Sequence, residues 1–305
     1  MGKIIAICTS EKKGTQKKQV PDADFIVNHG IQGDAHAGNW HRQISLLSLE
    51  RIEAFRAQGA HVEFGAFGEN IVAEGFDFST MPVGTLFACG RVLLEITQIG
   101  KECHSHCEIF KVMGDCIMPR EGVFARVLTG GKIQIGDTLL EAKHYRVGII
   151  TASDKGSRGE REDTSALAIR EMLTAHGYSV ESYKILPDEQ ALIENELCRL
   201  ADSGTIDLIL TCGGTGLSPR DCTPEATLAV ADRLVPGIPE AMRAFSMTIT
   251  KRAMLGRAVA AIRKSTLIVN LPGSKKAVEE NLDIIIGELR HALDTLSGNS
   301  GDCGR

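Results

Sequence analysis

Along the first 143 positions the apolar residues come in short runs broken by glycine turns; beyond them the period changes. Lys3–Cys8, Ile44–Leu47, Asn70–Ala73, Thr85–Ala88, Val92–Gln98, Val123–Leu128 and Thr138–Glu141 each read as a strand. Many short strands between glycine turns predict a β-rich barrel or sandwich. One helix interrupts them: Ser48 stands as its cap, and Leu49, Ile52 and Phe55 recur at helical spacing before Gly59. From Tyr145 onward strands alternate with helices. Strands are expected at Tyr145–Thr151, Ser179–Ile185, Asp207–Thr211 and Leu267–Asn270. Helices are expected at Thr164–His176, closed by Gly177, and at Glu189–Leu200. A long final helix places Val278, Leu282, Ile285, Ile286, Leu289 and Leu293 on one face. This alternation predicts a mostly parallel sheet with helices on both sides. The pattern divides the chain into 1–143 and 144–296, followed by a polar, glycine-rich tail over 297–305 that is expected to be flexible.

Composition narrows the classes. A net charge of −5 gives no basic footprint for nucleic acid or an anionic membrane surface. No apolar run approaches the ~18 residues of a spanning helix. The N-terminus reads as a short strand and lacks the features of a signal peptide. Nine cysteines, an odd number scattered over a long chain, fit reduced thiols and a cytoplasmic protein.

The densest chemistry lies at Thr211-Cys212-Gly213-Gly214-Thr215-Gly216, where an apolar strand stops at a glycine turn, followed by Arg220-Asp221-Cys222-Thr223-Pro224-Glu225. Gly213, Gly214 and Gly216 allow a sharp turn and close approach of a ligand. Thr223 is a natural N-cap, Pro224 suits the first helical position and Glu225 the first turn. Strand, glycine loop and helix start together make an anion site. Two other loops leave strand ends in the same half: Thr151-Ala152-Ser153-Asp154-Lys155-Gly156, with Asp163 and Thr164 beyond it, and Asn270-Leu271-Pro272-Gly273-Ser274-Lys275. In an open α/β sheet such loops converge on the ligand, and their glycines, hydroxyls and basic residues suit a phosphorylated one. Asp188, after Leu186-Pro187, also lies on a strand-to-helix loop. Asp188 and Asp221 are candidates to share a Mg²⁺; a simple N-cap is the alternative for Asp188, as it is for Asp163. No Gly-Lys-Ser/Thr follows the glycines, so this is not a P-loop.

These residues closely resemble the MoaB/Mog molybdopterin-binding family. The long glycine motif matches its signature, Asn270–Val278 its second motif, and Ser153-Asp154, Asp163-Thr164 and Leu186-Pro187-Asp188-Glu189 its remaining pattern. The likeness covers about Tyr145 to Leu296. It implies a three-layer α/β sandwich, usually a trimer. The family's adenylyltransferases are nucleotidyltransferases that transfer AMP from ATP to molybdopterin, releasing pyrophosphate, and the product goes on to a molybdate-insertion protein. Asp188 and Asp221 match the two aspartates linked to catalysis there. By the same likeness Ser153, Asp154, Thr211, Gly213, Gly214, Thr215, Gly216, Arg220, Pro272, Gly273, Ser274 and Lys275 are the ligand-binding candidates. Two departures stand out: Cys212 where Thr is common, and Lys275 where Pro is common.

The first half resembles the MOSC domain, a β-rich barrel named for molybdenum cofactor sulfurases. Gly30–Gly38, Phe67-Gly68-Glu69-Asn70, Val83-Gly84-Thr85, Gly100-Lys101-Glu102-Cys103 and Ile135-Gly136-Asp137 carry the likeness, from about Gly2 to Glu141. It implies that Cys103 carries sulfur or binds a molybdenum centre, without pyridoxal phosphate. From the residues alone, Cys103-His104-Ser105-His106-Cys107 has three readings: a metal site, a reactive thiolate at Cys103, or ordinary loop. Four ligands within five residues would strain a tetrahedron. Cys116 is a weaker thiol candidate. His29, Asp34, His36 and His41 form a looser cluster, for loop packing or ligand contact rather than metal. Three functions follow: adenylylation of molybdopterin, a non-catalytic cofactor carrier or store, or sulfur transfer through Cys103.

Overall fold

The computed structural model describes residues 1–101, 113 and 115–298. They divide into two compact units, Met1–Lys143 and His144–Arg305.

In the first unit the strands are β1 (Gly2–Thr9), β2 (Lys18–Val20), β3 (Asp22–Ile26), β4 (Gly30–Ile31), β5 (Ile44–Ser48), β6 (Ile71–Glu74), β7 (Leu86–Cys89), β8 (Val92–Ile99), β9 (Val123–Thr129), β10 (Gly131–Gln134) and β11 (Thr138–Ala142). The main sheet runs β11-β7-β8-β9-β5-β6-β1-β2, and β1 also pairs with β11, Gly2 opposite Leu139. That pairing closes the sheet into a barrel, which removes its open edges. Ile4, Ile44, Leu46, Phe87, Leu94, Ile96, Val127 and Leu139 fill one buried cluster. A register shift in β1 between Ile4 and Ala6 turns Ala6 and Cys8 into a second cluster with Leu47, Val72 and helix α1 (Leu49–Ala57). All seven expected strands are present. The strands β2, β3, β4 and β10 were not expected: β2, β4 and β10 run only two to four residues, too short to show a period, whereas β3 does alternate. Ser48 stands at the N-cap of α1, but its hydroxyl accepts the Phe78 N–H instead of capping the helix. A short helix, α2, spans Met118–Glu121.

The second unit holds the six-stranded sheet β13-β12-β14-β17-β16-β15. Its strands are β12 (Tyr145–Ala152), β13 (Tyr178–Leu186), β14 (Leu208–Cys212), β15 (Arg233–Leu234), β16 (Ala260–Arg263) and β17 (Thr266–Leu271). The first four in order pair in parallel, and β16 and β15 are antiparallel edge additions. The helices are α3 (Asp154–Ser157), α4 (Thr164–Ala175), α5 (Gln190–Asp202), α6 (Thr223–Val230), α7 (Gly237–Ile249) and α8 (Lys275–Leu296). Alternate strand residues enter separate cores. Val147, Leu208, Leu210 and Val269 pack with α4, α7 and α8; Ile150, Ile209 and Ile268 pack with α5 and α6. α7, β15 and β16 were not anticipated. Two expectations are corrected. Helix α6 begins at Thr223 with Cys222 at the cap position, so Thr223 is its first residue and Pro224 its second. Helix α5 begins at Gln190 with Glu189 at the cap position, so Asp188 is not an N-cap.

Among the described residues, no helix is long and apolar enough to cross a membrane.

Candidate functional site

Strands β12, β14 and β17 lie side by side and parallel, so the loops that leave their carboxyl ends emerge on one edge. Between them is a cavity of about 310 Å³. Its lining includes Thr151 and Ser153 from the first loop, Gly213, Gly214 and Asp221 from the second, Gly273 and Ser274 from the third, and Asp188 from the end of β13. Gly213 and Gly214 both have φ in the left-handed region, +91° and +63°. A Cβ on Gly214 would lie 2.4 Å from the Thr223 hydroxyl, and one on Gly213 2.5 Å from the Ala152 carbonyl. Only glycine lets the turn lie this close to β12 and to the start of α6.

The carboxylates are held in a definite pattern. Asp188 and Asp154 exchange backbone bonds: the Asp154 N–H donates to Asp188 Oδ2 at 2.9 Å, and the Asp188 N–H to Asp154 Oδ1 at 3.1 Å. Arg220 donates to both oxygens of Asp154, at 3.1 and 2.8 Å, and holds its carboxyl below the usual carboxylate range. Burial pushes the Asp188 carboxyl up, aided by the negative charges of Asp154 and Asp221. Asp221 Oδ2 accepts the Ser218 N–H at 3.1 Å. Among the described residues, the buried hydroxyls of Thr151 and Thr223 have no hydrogen-bond partner. Buried polar groups are seldom left unpaired, and of these two the Thr151 hydroxyl lines the cavity and suits an oxygen of a bound group.

Among the described residues no set of three or more His, Cys, Asp or Glu side chains is arranged to hold a metal. Mg²⁺, however, is commonly held by one or two carboxylates together with substrate phosphates. Asp188 and Asp221, which line one cavity with the unpartnered Thr151 hydroxyl, fit that mode.

The predicted residues separate into groups. Ser153, Gly213, Gly214, Gly273, Ser274, Asp188 and Asp221 line the first cavity. Ser274 Oγ also caps α8, accepting the Ala277 N–H. Thr215, Gly216 and Pro272 line a second, more apolar cavity of about 450 Å³, with Leu217, Met242 and Leu255. Asp154 and Arg220 form the ion pair above. Lys275 is exposed and lies 3.8 Å from Glu279. Thr211 is not brought to either cavity: it is fully buried, and its hydroxyl accepts a bond from Asn270 Nδ2. Asp163 caps α4 through the Ala166 N–H, and it and Thr164 also line the first cavity. Cys212 accommodates its departure from the family pattern by donating its thiol to the Pro272 carbonyl, joining two of the loops. Thr151, Thr223 and Asn270 were not singled out as site residues; a lone threonine at a strand or helix end carries no distinguishing sequence signal.

In the first unit, Asp34 is buried and accepts both a bidentate contact from Lys17 Nζ and the backbone N–H groups of Ser10 and His36. His41 and Arg42 meet at Gln98 Oε1, and His29 is exposed. Cys116 is buried. The Cys103–Cys107 cluster lies outside the described residues.

Two family models match this chain. One, a probable molybdopterin binding domain, matches residues 148–291; the other, the MOSC domain, matches 33–140. The chain is 45% identical over 141 residues to the molybdopterin adenylyltransferase of Escherichia coli K12, a match spanning 45% of this chain and 72% of that protein. It is 39% identical over 155 residues to the molybdopterin adenylyltransferase of Helicobacter pylori J99, spanning 50% of this chain and 88% of that protein. Among solved structures, the molybdopterin biosynthesis enzyme MoaB from Thermus thermophilus is 51% identical, with a TM-score of 0.49, covering 50% of this chain and 97% of that one.

Proposed function

This chain belongs through its second domain to the MoaB/Mog family of molybdopterin adenylyltransferases, and on that premise we propose that it adenylylates molybdopterin with ATP. The observation that carries the reading is the convergence of three strand-end loops on one cavity, lined by Asp188, Asp221 and the unpartnered Thr151 hydroxyl. A terminal phosphate oxygen of molybdopterin attacks the α-phosphorus of ATP. A new P–O bond forms, the bond from that phosphorus to the bridging oxygen breaks, and pyrophosphate leaves. Phosphoryl chemistry of this kind asks the protein mainly for positioning and charge neutralisation. The glycine turn at Gly213 and Gly214, with no Cβ in the way, lets a phosphate approach the backbone. Ser153 and Ser274 add hydroxyls, and Arg220 or Lys275 offsets developing charge. Asp188 and Asp221 would hold Mg²⁺, which would supply positive charge to the phosphates, or would orient the attacking phosphate. The apolar cavity beside Thr215, Gly216 and Pro272 leaves room for a ring system.

On this reading the second domain is a three-layer sandwich working as a homo-oligomer, a trimer favoured. The exposed Phe245, Met247, Ile249, Met254 and Leu255 support it. The first domain binds the cofactor or a sulfur or molybdenum species at Cys103. The protein acts in the cytoplasm and hands its product to a molybdate-insertion protein.

Incubation with molybdopterin, ATP and Mg²⁺, followed by assay of pyrophosphate and the adenylylated pterin, tests the activity. Tight pterin binding with no turnover would instead make the protein a carrier. Asp221→Ala is expected to lose turnover, on the order of 100-fold or more, with an unchanged circular dichroism spectrum. An unfolded variant would show Asp221 to be structural.

A further inference from the structure

The stretch from Gly216 to Asp221 is exposed over Leu217–Arg220, yet it carries one of the two proposed catalytic carboxylates. Within it the Asp221 N–H donates to the Ser218 carbonyl, the Ser218 N–H to Asp221 Oδ2 and the Arg220 N–H to Ser218 Oγ, and the Arg220 side chain reaches out to Asp154. One side chain from elsewhere bonds the backbone at both of its ends. Arg257 Nε donates to the Gly216 carbonyl at 2.6 Å and an Nη to the Asp221 carbonyl at 2.7 Å. Its other Nη pairs with the Glu225 carboxylate in the first turn of α6. Its backbone N–H donates to the Thr215 carbonyl at 3.0 Å. One guanidinium therefore bridges both ends of the loop and the helix that follows it.

Arg257 is itself well anchored. Arg243 on α7 donates to the carbonyl of Ala258, at 3.1 Å. Val259 exchanges bonds with Asn270: its N–H donates to Asn270 Oδ1 at 3.1 Å, and its carbonyl accepts the Asn270 N–H at 2.9 Å. Asn270 lies on β17, which leads into the third loop of the cavity, and its Nδ2 also binds Thr211 and Thr227. The guanidinium thus hangs from a fixed strand start, and a planar fork with several donors suits a bridge that an ammonium cannot make.

We propose that Arg257 is a positioning residue for adenylyl transfer: it staples the loop at Gly216 and Asp221 so that the Asp221 carboxylate is held toward the phosphate cavity. Arg257 does not line that cavity and touches no reacting atom. Its effect on turnover rests on the adenylyltransferase reading; its effect on the loop does not.

Two measurements on the full-length chain keep those apart. The first is amide hydrogen exchange over residues 214–223. Arg257→Ala is expected to speed exchange there at least tenfold while the thermal midpoint of the domain stays near that of the wild type, and methylguanidinium at tens of millimolar is expected to slow it again. The second is steady-state turnover. Displacing a catalytic group by about an ångström costs on the order of 100-fold, so Arg257→Ala should lose that in kcat with a smaller change in KM. Methylguanidinium should restore at least tenfold of it, and Arg257→Lys should stay at least tenfold below wild type. If the alanine variant fails to fold, the lysine variant carries both measurements. Loop exchange equal to wild type in the folded variants overturns the proposal, as does wild-type kcat in Arg257→Lys. A wild-type chain with no turnover at all would sink the enzymatic reading, and the exchange result would still decide whether Arg257 staples the loop.

Discussion

Single carboxyl groups set the chemistry of each domain. In the second, Asp188 is pushed up by burial and by the charges of Asp154 and Asp221, against the lowering effect of the Asp154 backbone N–H and, less, of Arg220. Removing the nearer negative charge should therefore lower it. A carbon-13 titration of the side-chain carboxyls is expected to place Asp188 above the ordinary aspartate range in the wild type and lower in Asp154→Asn; an unmoved midpoint would show that burial alone sets it. In the first domain, Glu69 is fully buried and accepts the N–H groups of Gly65 and Phe67. Burial nevertheless pushes its carboxyl from an ordinary 4.5 up to about 7. The folded chain then keeps a proton that the unfolded chain has released between about 4.5 and 7, so stability falls as the pH rises through that window. The full swing is roughly 3 kcal/mol. Thermal unfolding of the first domain from pH 5 to 7.5 should show this fall, and Glu69→Gln should flatten it. A wild-type profile already flat would mean that the two backbone donors outweigh the burial.

At the scale of elements, the glycine turn depends on contacts that join it to its neighbours. A Cβ on Gly214 would strike the Thr223 hydroxyl and crowd Asp188 Oδ1, 3.2 Å away. Gly214→Ala is expected to destabilise the domain by about 1–3 kcal/mol, measured by urea unfolding, and to lower turnover further than stability alone explains. Unchanged turnover would remove the turn from the phosphate cradle. Much of this region was legible in the chain. Continuous apolar runs mark β12, β14 and β17 because both faces of each are buried, and the glycines, Asp188 and Asp221 follow at strand ends. What was not legible depends on distant residues meeting. Arg257 sits 41 positions from Gly216, on a segment with no periodicity, and only the sheet order brings it beneath the loop. Thr211 misled for a related reason: it belongs to the glycine motif, but strand alternation turns it inward to Asn270. The edge strands β15 and β16 and the barrel strands β2, β4 and β10 run two to four residues, too short to show a period.

For the whole molecule, the two units have separate cores. Every residue of the barrel clusters lies before position 143, and every residue of the sheet clusters after 144. The cavity at the strand ends, with Asp188 and Asp221 in its lining, and Arg257 all fall in the second unit. A chain divided after Lys143 should therefore yield two pieces that fold alone, each with its own cooperative unfolding transition. The 144–305 piece is expected to keep adenylyl transfer within about threefold of the full chain, because no residue of the proposed chemistry is lost. The 1–143 piece is expected to keep the Glu69 pH profile. If the 144–305 piece folds, by circular dichroism, yet loses turnover tenfold or more, then the barrel takes part in the reaction itself. Adding the 1–143 piece back in trans would then restore the rate only if the two meet during the cycle, and Cys103→Ser in that piece would show whether its thiol is what the reaction needs.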